Sequence, residues 1–172
     1  MCSKATKSCG FISLVATCLF TVPSLASAEV TTHIHHDSDI PVATAVEIPS
    51  DHSVIYLSGK LPKLQNASSS STNPYMAYGG DTKAQAISVL KDIENTLGRL
   101  GLRMEDIVKV QVYLVGDPKL NNFMDTEGFS EAYGKFFSKK MKNLPSRTLV
   151  QVSNLAKPGM LVEIEVTAVR KK

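Results

Sequence analysis

The stretches that decide the fold are DIVKVQVYLV, residues Asp106 to Val115, and LVEIEVTAV, residues Leu161 to Val169. In both, apolar and polar side chains alternate with a period of two, which is the pattern of a half-buried β-strand. The two stretches therefore predict a sheet with one apolar face in the core. That face would comprise Val108, Val110, Val112, Leu114, Val162, Ile164, Val166 and Ala168.

Three further segments are predicted to be strands, because β-branched and aromatic residues cluster there in short runs. They are Val30–His35, Ser53–Ser58 and Arg147–Val152. The sheet face that points away from the core is predicted to carry Tyr113, Gln151, Glu163 and Glu165. This polar face needs either water or a partner subunit to cover it.

Two segments between the strands have helical periodicity. The first begins at Thr82 and Gln85, which fit a capping box, and its apolar residues then recur at spacings of three and four. They are Ile87, Leu90, Ile93, Leu97 and Leu100. The second helix is predicted over Phe123–Met141, where an aromatic stripe is typical of core packing. The stripe comprises Phe129, Tyr133, Phe136 and Phe137. The order of elements predicts an α+β fold, a mixed β-sheet with two helices packed on one face.

The segment Lys60–Gly80 is predicted to be a long polar loop, since it holds Pro62, Pro74 and a run of serines. A loop of this length in a small domain is either functional or without a fixed structure. It could reshape the mouth of a binding cleft.

The N-terminal segment has the three parts of a secretory signal peptide. Lys4 and Lys7 precede an uncharged apolar run, and a small-residue A-x-A site ends at Ala28. The run is too short to span a bilayer, so a membrane anchor is the weaker interpretation. We expect residues 1–28 to be cleaved, leaving a domain of residues 29–172 in the periplasm or secreted. The cysteines all fall within the signal, at Cys2, Cys9 and Cys18.

The charge of the chain argues against a nucleic-acid partner. The whole chain carries +3, and removal of the two signal lysines leaves 17 basic and 16 acidic residues, a net +1. No Gly-rich phosphate loop, CxxC or HExxH occurs, and no cofactor is predicted. The N-terminal cluster could bind a metal, but a solvated chain end is the simpler interpretation, and no metal site is predicted. That cluster comprises His33, His35, His36, Asp37 and Asp39.

Two groups of charged residues could take part in chemistry. Arg147, at the start of a strand, could hold a carboxylate through two parallel hydrogen bonds, although a surface ion pair fits its position better. Glu163 and Glu165 share one face of a strand, so each could raise the pKa of the other and assist proton transfer. Both glutamates could equally belong to a polar subunit contact.

The stretch PSRTLVQVSNLAKPGMLVEIEVTAVR, residues Pro145 to Arg170, resembles the C-terminal signature of the RidA/YjgF family of reactive-intermediate (enamine and imine) deaminases. Upstream segments fit the same family: YLSGKLP at Tyr56–Pro62, AQAISVLKDIENTLGRLGLRMEDIVKVQVYLVGD at Ala84–Asp117, and FSEAYGKFF at Phe129–Phe137. The resemblance covers nearly all of residues 29–172.

The resemblance implies a chorismate-mutase-like fold in which three subunits pack their sheets into a barrel, with a site in each intersubunit cleft. It assigns carboxylate binding to Arg147 and water activation and proton transfer to Glu163. It places Ser58 and Gly59 in the wall of the pocket, and Ser130 where the family commonly has an asparagine. Two other positions depart from the family: Ala45 stands near the usual pocket tyrosine, and Leu149 replaces a common cysteine.

The resemblance implies hydrolysis of 2-imino or 2-enamino acids to 2-keto acids and ammonia. The alternative is a binding protein that keeps the homotrimer and the small-carboxylate cleft without turnover, which the departures at Ala45 and Leu149 favour. RNA cleavage, also attached to the family by name, gains no support from the near-neutral charge.

Overall fold

The computed structural model describes Met1 and residues 28–34, 40–65 and 73–172. The helices and strands along these residues are β1 (Thr31–Ile34), β2 (Ala43–Glu47), β3 (His52–Lys60), α1 (Thr82–Arg99), β4 (Ile107–Val115), α2 (Thr126–Tyr133), β5 (Ser146–Val152) and β6 (Val162–Lys171). Short 3-10 turns lie at Pro74–Tyr78, Met104–Asp106 and Pro118–Leu120.

The predicted signal peptide, residues 1–28, lies almost wholly outside the described residues. Within them, no helix is long and apolar enough to cross a bilayer.

The six strands of the described chain form one mixed sheet in the order β1-β2-β5-β4-β6-β3. Neighbouring strands β2, β5 and β4 run parallel, whereas β1, β6 and β3 pair antiparallel to their neighbours. Each helix provides a crossover between parallel strands. α1 leads from β3 to β4, and α2 leads from β4 to the adjacent β5.

Both helices cover the same face of the sheet, so the predicted α+β fold is confirmed. α1 buries Ala86, Val89, Leu90, Ile93 and Leu97, and α2 buries Phe129, Ala132 and Tyr133. They pack on Val110, Val112, Leu114, Val162, Ile164, Val166 and Ala168. Burial of this apolar surface is the main stabilising contribution in a domain of this size. Val108 is buried as well, but it lies where the register with β6 shifts between Ile107 and Lys109.

The start of α1 differs from the predicted capping box. Asp81 is the N-cap, and its Oδ1 accepts a hydrogen bond of 2.8 Å from the Ala84 backbone N–H. Gln85 instead points inward and is fully buried. Its Nε2 donates to the Gly159 carbonyl at 2.8 Å, and its Oε1 accepts from the Leu161 N–H at 2.8 Å. Gln85 thus ties the helix to the turn that leads into β6.

The second helix is shorter than the predicted Phe123–Met141. Asp125 caps its start, with Oδ1 accepting a 2.8 Å hydrogen bond from the Gly128 N–H, and the helix ends at Tyr133 before Gly134. The chain continues in tight turns, in which the Phe137 N–H donates to the Tyr133 carbonyl. The aromatic stripe is therefore buried as predicted although part of it is not helical.

Two features of the sheet were not predicted. The strand β2 was missed, because ATAVE is short and its side chains are mostly exposed. Gln151 was placed on the wrong face: it pairs with Leu114 and so lies on the helix side, where its Oε1 accepts from the Met124 N–H at 2.9 Å.

Candidate active site

Arg147 lies on the helix-covered face of the sheet, because it pairs with Val110 of β4. Its guanidinium carbon is 4.6 Å from the ring centroid of Tyr133 and 5.6 Å from that of Phe129, so both rings of α2 attract the cation. The Nη1 atom is buried and has no hydrogen-bond partner in the part of the chain that the structure describes. The surface ion pair that its position suggested is therefore not what the structure shows.

The environment of Arg147 leaves its charge unbalanced. Burial lowers the pKa of the Arg147 guanidinium, an effect that the nearby Tyr133 opposes. An arginine still keeps its proton at neutral pH, because its ordinary pKa lies far above neutrality. A buried donor without a partner costs about 1–3 kcal/mol, more when it is charged. A ligand carboxylate would supply the missing acceptors.

The hydroxyl of Tyr133 is another donor without a partner among the described residues, and its ring lies next to Arg147. The side chain is almost fully buried, and its ring stacks on Phe137 with centroids 4.3 Å apart. Its hydroxyl oxygen has no hydrogen-bond partner within residues 28–34, 40–65 and 73–172. Burial raises the pKa of the Tyr133 phenol, so the hydroxyl keeps its proton at neutral pH. No family motif or spacing in the sequence singled out this hydroxyl, since the aromatic stripe was fully explained by packing.

Glu163 lies on the opposite face of the sheet from Arg147. It pairs with Tyr113 of β4, and Glu165 pairs with Gln111, so both glutamates project from the face without helices. This agrees with the prediction that the two share a face.

The glycine of the Ser58-Gly59 step packs directly against Glu163. The register between β3 and β6 shifts between Leu57 and Lys60, which places a bulge at this step. A Cβ atom added to Gly59 would overlap Oε1 of Glu163 and lie 3.1 Å from its Cδ atom. Only a glycine lets the carboxylate approach the strand this closely, and the three atoms nearest to such a Cβ all belong to Glu163 rather than to Glu165.

The predicted site residues therefore fall into two half-sites. Ser58, Gly59 and Glu163 lie together at the β3–β6 bulge. Arg147 lies on the other face, and Ser130 is exposed on α2 directly after Phe129, one of the two rings that contact the arginine. A single chain does not bring the two half-sites to one face.

The two departures from the family also have defined places. Ala45 is exposed on β2, the strand next to the edge strand β1, where it pairs with His33. Leu149 follows Arg147 on the same sheet face, pairs with Val112 and packs against the core.

The sheet face that carries Glu163 is left open in the single chain. Val54, Tyr56 and Val150 are 41%, 78% and 40% exposed. A cavity of about 370 Å³ on this face is lined by apolar and polar side chains, including Tyr56 and Glu165. Large apolar side chains that are exposed together on one face mark a surface suited to contact with another protein.

The N-terminal histidines do not form a metal site in the described part of the chain. His33 pairs with Glu47, with Nε2 and Oε1 2.8 Å apart. Residues 35–39, which hold the rest of the predicted cluster, lie outside the described residues. No group of three or more possible ligand side chains occurs among the residues that the structure does describe.

The fold places the chain in the class of α+β proteins in which two helices cover one face of a mixed sheet. The sequence profile of the family described as Endoribonuclease L-PSP matches residues 41–170. Over 115 residues the chain is 32% identical to a RutC family protein of Saccharolobus solfataricus, covering 67% of this chain and 78% of that relative. The chain therefore belongs to this family, the RidA/YjgF family that the C-terminal motif indicated.

Two further matches are a relative with a named activity and a solved structure with a bound ligand. The chain is 34% identical over 95 residues to the 2-iminobutanoate/2-iminopropanoate deaminase of Salmonella typhimurium, covering 55% of this chain and 69% of that enzyme. The crystal structure of Escherichia coli TdcF with bound serine matches with a TM-score of 0.52 and 26% identity. That match covers 76% of this chain and 94% of TdcF.

Proposed function

We propose that this protein hydrolyses 2-imino and 2-enamino acids to 2-keto acids and ammonia. The observation that carries the proposal is the half-buried side chain of Arg147, whose Nη1 atom is buried and has no partner among the described residues. Such a group is suited to the carboxylate that every 2-imino acid presents. The named deaminase of Salmonella typhimurium supports the same reaction class.

The reaction needs few protein groups. Water adds to the imine carbon, a proton moves to the nitrogen, and the resulting tetrahedral intermediate expels ammonia. The Arg147 fork would fix the carboxylate, and the Glu163 carboxylate would accept a proton from the attacking water and return it to the leaving nitrogen. Ser58 and Ser130 would line the pocket around the substrate. No resident cofactor takes part in this scheme.

The site would be assembled from two subunits of a homotrimer. Arg147 and Glu163 lie on opposite faces of one sheet, so the arginine of one subunit must meet the glutamate of the next. The open face around Tyr56 would then be the surface that the neighbouring subunits cover. Closed ring symmetry generates identical sites at every contact.

The reaction would take place outside the cytoplasm. The signal-like segment ending at Ala28 supports export and cleavage, with residues 29–172 as the working domain in the periplasm or secreted. Mass spectrometry of the protein purified from the periplasmic fraction of a bacterial host tests this: a mature chain beginning at Glu29 is expected. An intact N-terminus in the cytoplasm would contradict it.

A second candidate is a non-catalytic protein that binds small carboxylates in the same cleft. The residues that favour it are Ala45, which offers no hydroxyl to close the pocket, and Leu149, which packs into the core beside Arg147. Binding would then use the arginine half-site alone.

The test is release of 2-keto acid from imino acids that an amino-acid oxidase generates in situ. Wild-type protein is expected to accelerate release above the spontaneous rate, and Arg147→Ala and Glu163→Ala are expected to abolish the acceleration. Glu165→Ala is the matched control, since this carboxylate shares the face but the atoms nearest to Gly59 belong to Glu163, and it should retain activity. No acceleration by the wild type over a range of side chains would refute the enzyme and leave the binding protein.

A further inference from the structure

The neighbourhood of Arg147 contains a second donor without an acceptor. Among the described residues, four buried polar side-chain atoms have no hydrogen-bond partner, and two of them are Nη1 of Arg147 and the hydroxyl of Tyr133. The Tyr133 ring centroid and the Arg147 guanidinium carbon are only 4.6 Å apart. Two unsatisfied donors on side chains that contact each other indicate a place suited to an acceptor that the described residues do not supply.

The stacked geometry explains why the two groups do not satisfy each other. The guanidinium lies over the face of the Tyr133 ring, whereas its N–H bonds point outward in its own plane. The phenol oxygen lies in the plane of its ring and accepts no bond from the arginine. Two hydrogen bonds of about 2.8 Å placed end to end span about 5.6 Å. One carboxylate can therefore bridge donors on groups as close as these.

We infer that the Tyr133 hydroxyl is a second donor to the ligand carboxylate, completing with Arg147 a three-point anion site on the helix-covered face. This rests on the proposed function for the identity of the ligand, and it adds a binding residue to that site. The hydroxyl would donate to one carboxylate oxygen while the guanidinium holds both. The site would take 2-imino and 2-keto acids and would discriminate against the corresponding amides, whose NH₂ group cannot accept from either donor.

The aromatic packing around Tyr133 makes this donor rigid. Phe137 stacks on one side of the ring, and Phe129 lies 5.8 Å away on the same helix. The hydroxyl hydrogen can still rotate toward an acceptor, but the ring cannot leave without disrupting the core. A preorganised donor of this kind improves affinity because little freedom is lost on binding.

The deciding variant is Tyr133→Phe, which removes only the hydroxyl and keeps the ring beside the guanidinium. The full-length mature protein is used, with Tyr78→Phe as the matched control, because Tyr78 is also buried but belongs to a separate small cluster with Ala77 and Met160. Thermal melts are expected to show Tyr133→Phe at least as stable as wild type, because the change removes a buried unsatisfied group.

Two readouts are compared. In turnover, Tyr133→Phe is expected to raise KM roughly tenfold with kcat within about twofold, since a contact to the carboxylate is made equally in the ground state and the transition state. In calorimetric binding of 2-oxobutanoate, Kd is expected to rise by the same factor, roughly tenfold, while weak binding of 2-oxobutanamide is unchanged. Tyr78→Phe should change neither value.

The outcomes separate this inference from the proposed function. An active wild type whose KM and Kd are unaltered by Tyr133→Phe would overturn the inference and leave the deaminase intact. A wild type without turnover that binds 2-oxobutanoate, and loses that binding in Tyr133→Phe, would overturn the deaminase and support the inference. A wild type that neither turns over imino acids nor binds 2-oxobutanoate would overturn both.

Discussion

Arg147 and Glu163 project from opposite faces of the same sheet. The parallel pairing of Arg147 with Val110 turns the arginine toward the helices, and the antiparallel pairing of Glu163 with Tyr113 turns the glutamate away from them. Since Val110 and Tyr113 are three residues apart on one strand, their side chains necessarily alternate sides. A reaction that needs both residues thus needs two copies of the chain.

Gly59→Ala tests whether the bulge positions the Glu163 carboxylate, which we propose to be catalytic. The new methyl group would displace the Glu163 side chain, so kcat is expected to fall by roughly 100-fold while the fold persists. Stopped-time assays of keto-acid release, with circular dichroism as a check of folding, measure this. Gly98→Ala on α1 is the control, because an added Cβ meets nothing within 4 Å there.

The control makes a prediction of its own. Gly98→Ala should leave activity unchanged and stabilise the protein by about 0.5–1 kcal/mol, since alanine loses less backbone entropy in a helix. Full activity of Gly59→Ala together with an unchanged melting temperature would show that Glu163 has no fixed place beside the bulge.

Gln85→Leu tests the connection between α1 and the turn into β6. The substitution leaves the Gly159 carbonyl and the Leu161 N–H unpaired in a buried place, so the free energy of unfolding should fall by about 2–4 kcal/mol. Denaturant titration measures it. Gln151→Leu provides the comparison: Gln151 also bonds two backbone groups, but it is exposed, and its loss should cost less than about 1 kcal/mol. Equal losses in both variants would contradict this account.

Asp92 links stability to pH. Its carboxylate receives ion pairs from Lys63 and, at 3.3 Å, from Lys60, and the hydrogen bond from Lys63 lowers the pKa of Asp92 below its usual 3.8. Because the folded-state pKa is depressed, the stabilisation is complete above the unfolded pKa and disappears as the pH falls through the folded value.

Asp92→Asn should therefore be less stable than wild type at neutral pH by about 0.5–1 kcal/mol, and the difference should shrink as the pH is lowered below about 4. Thermal melts over this pH range measure the two curves. Glu131→Gln, which breaks the exposed pair with Lys83, should show little difference at any pH. A gap between Asp92→Asn and wild type that widens in acid would reverse the expected sign.

Local pattern was sufficient to predict most of the fold. The strict alternation in β4 and β6 identified both strands and assigned their buried faces correctly, because one face packs under helices. The exception is Val108, which the register shift turns toward the cavity on the open face while Ile107 joins the core. The same reasoning failed for Gln151, since the face of a strand also depends on its register with its neighbours. β2 was missed because its side chains follow no alternation between buried and exposed positions. The strand pairs with β5 at one position only, so the sheet does not impose such an alternation on it.

The candidate site was only partly accessible from sequence. Periodicity could not distinguish Glu163 from Glu165, and only the resemblance did so; the structure adds the physical difference, which is the contact with Gly59. The position of Arg147 at a strand start suggested an exposed ion pair. The packing of α2 over β5, which places the guanidinium against the Tyr133 ring and leaves Arg147 half-buried, depends on contacts between distant segments that no local pattern records.

The most direct test of the two-subunit site is complementation between inactive variants. Arg147→Ala and Glu163→Ala proteins, carrying different affinity tags, are unfolded, mixed in equal amounts and refolded, and keto-acid release is then measured. In a ring of three, every mixed trimer regains one intact site, so the mixture should recover roughly a quarter of wild-type activity. Either variant refolded alone should stay inactive. A mixture containing both tags in one trimer, yet no more active than the separate variants, would contradict a site shared between Arg147 of one subunit and Glu163 of the next.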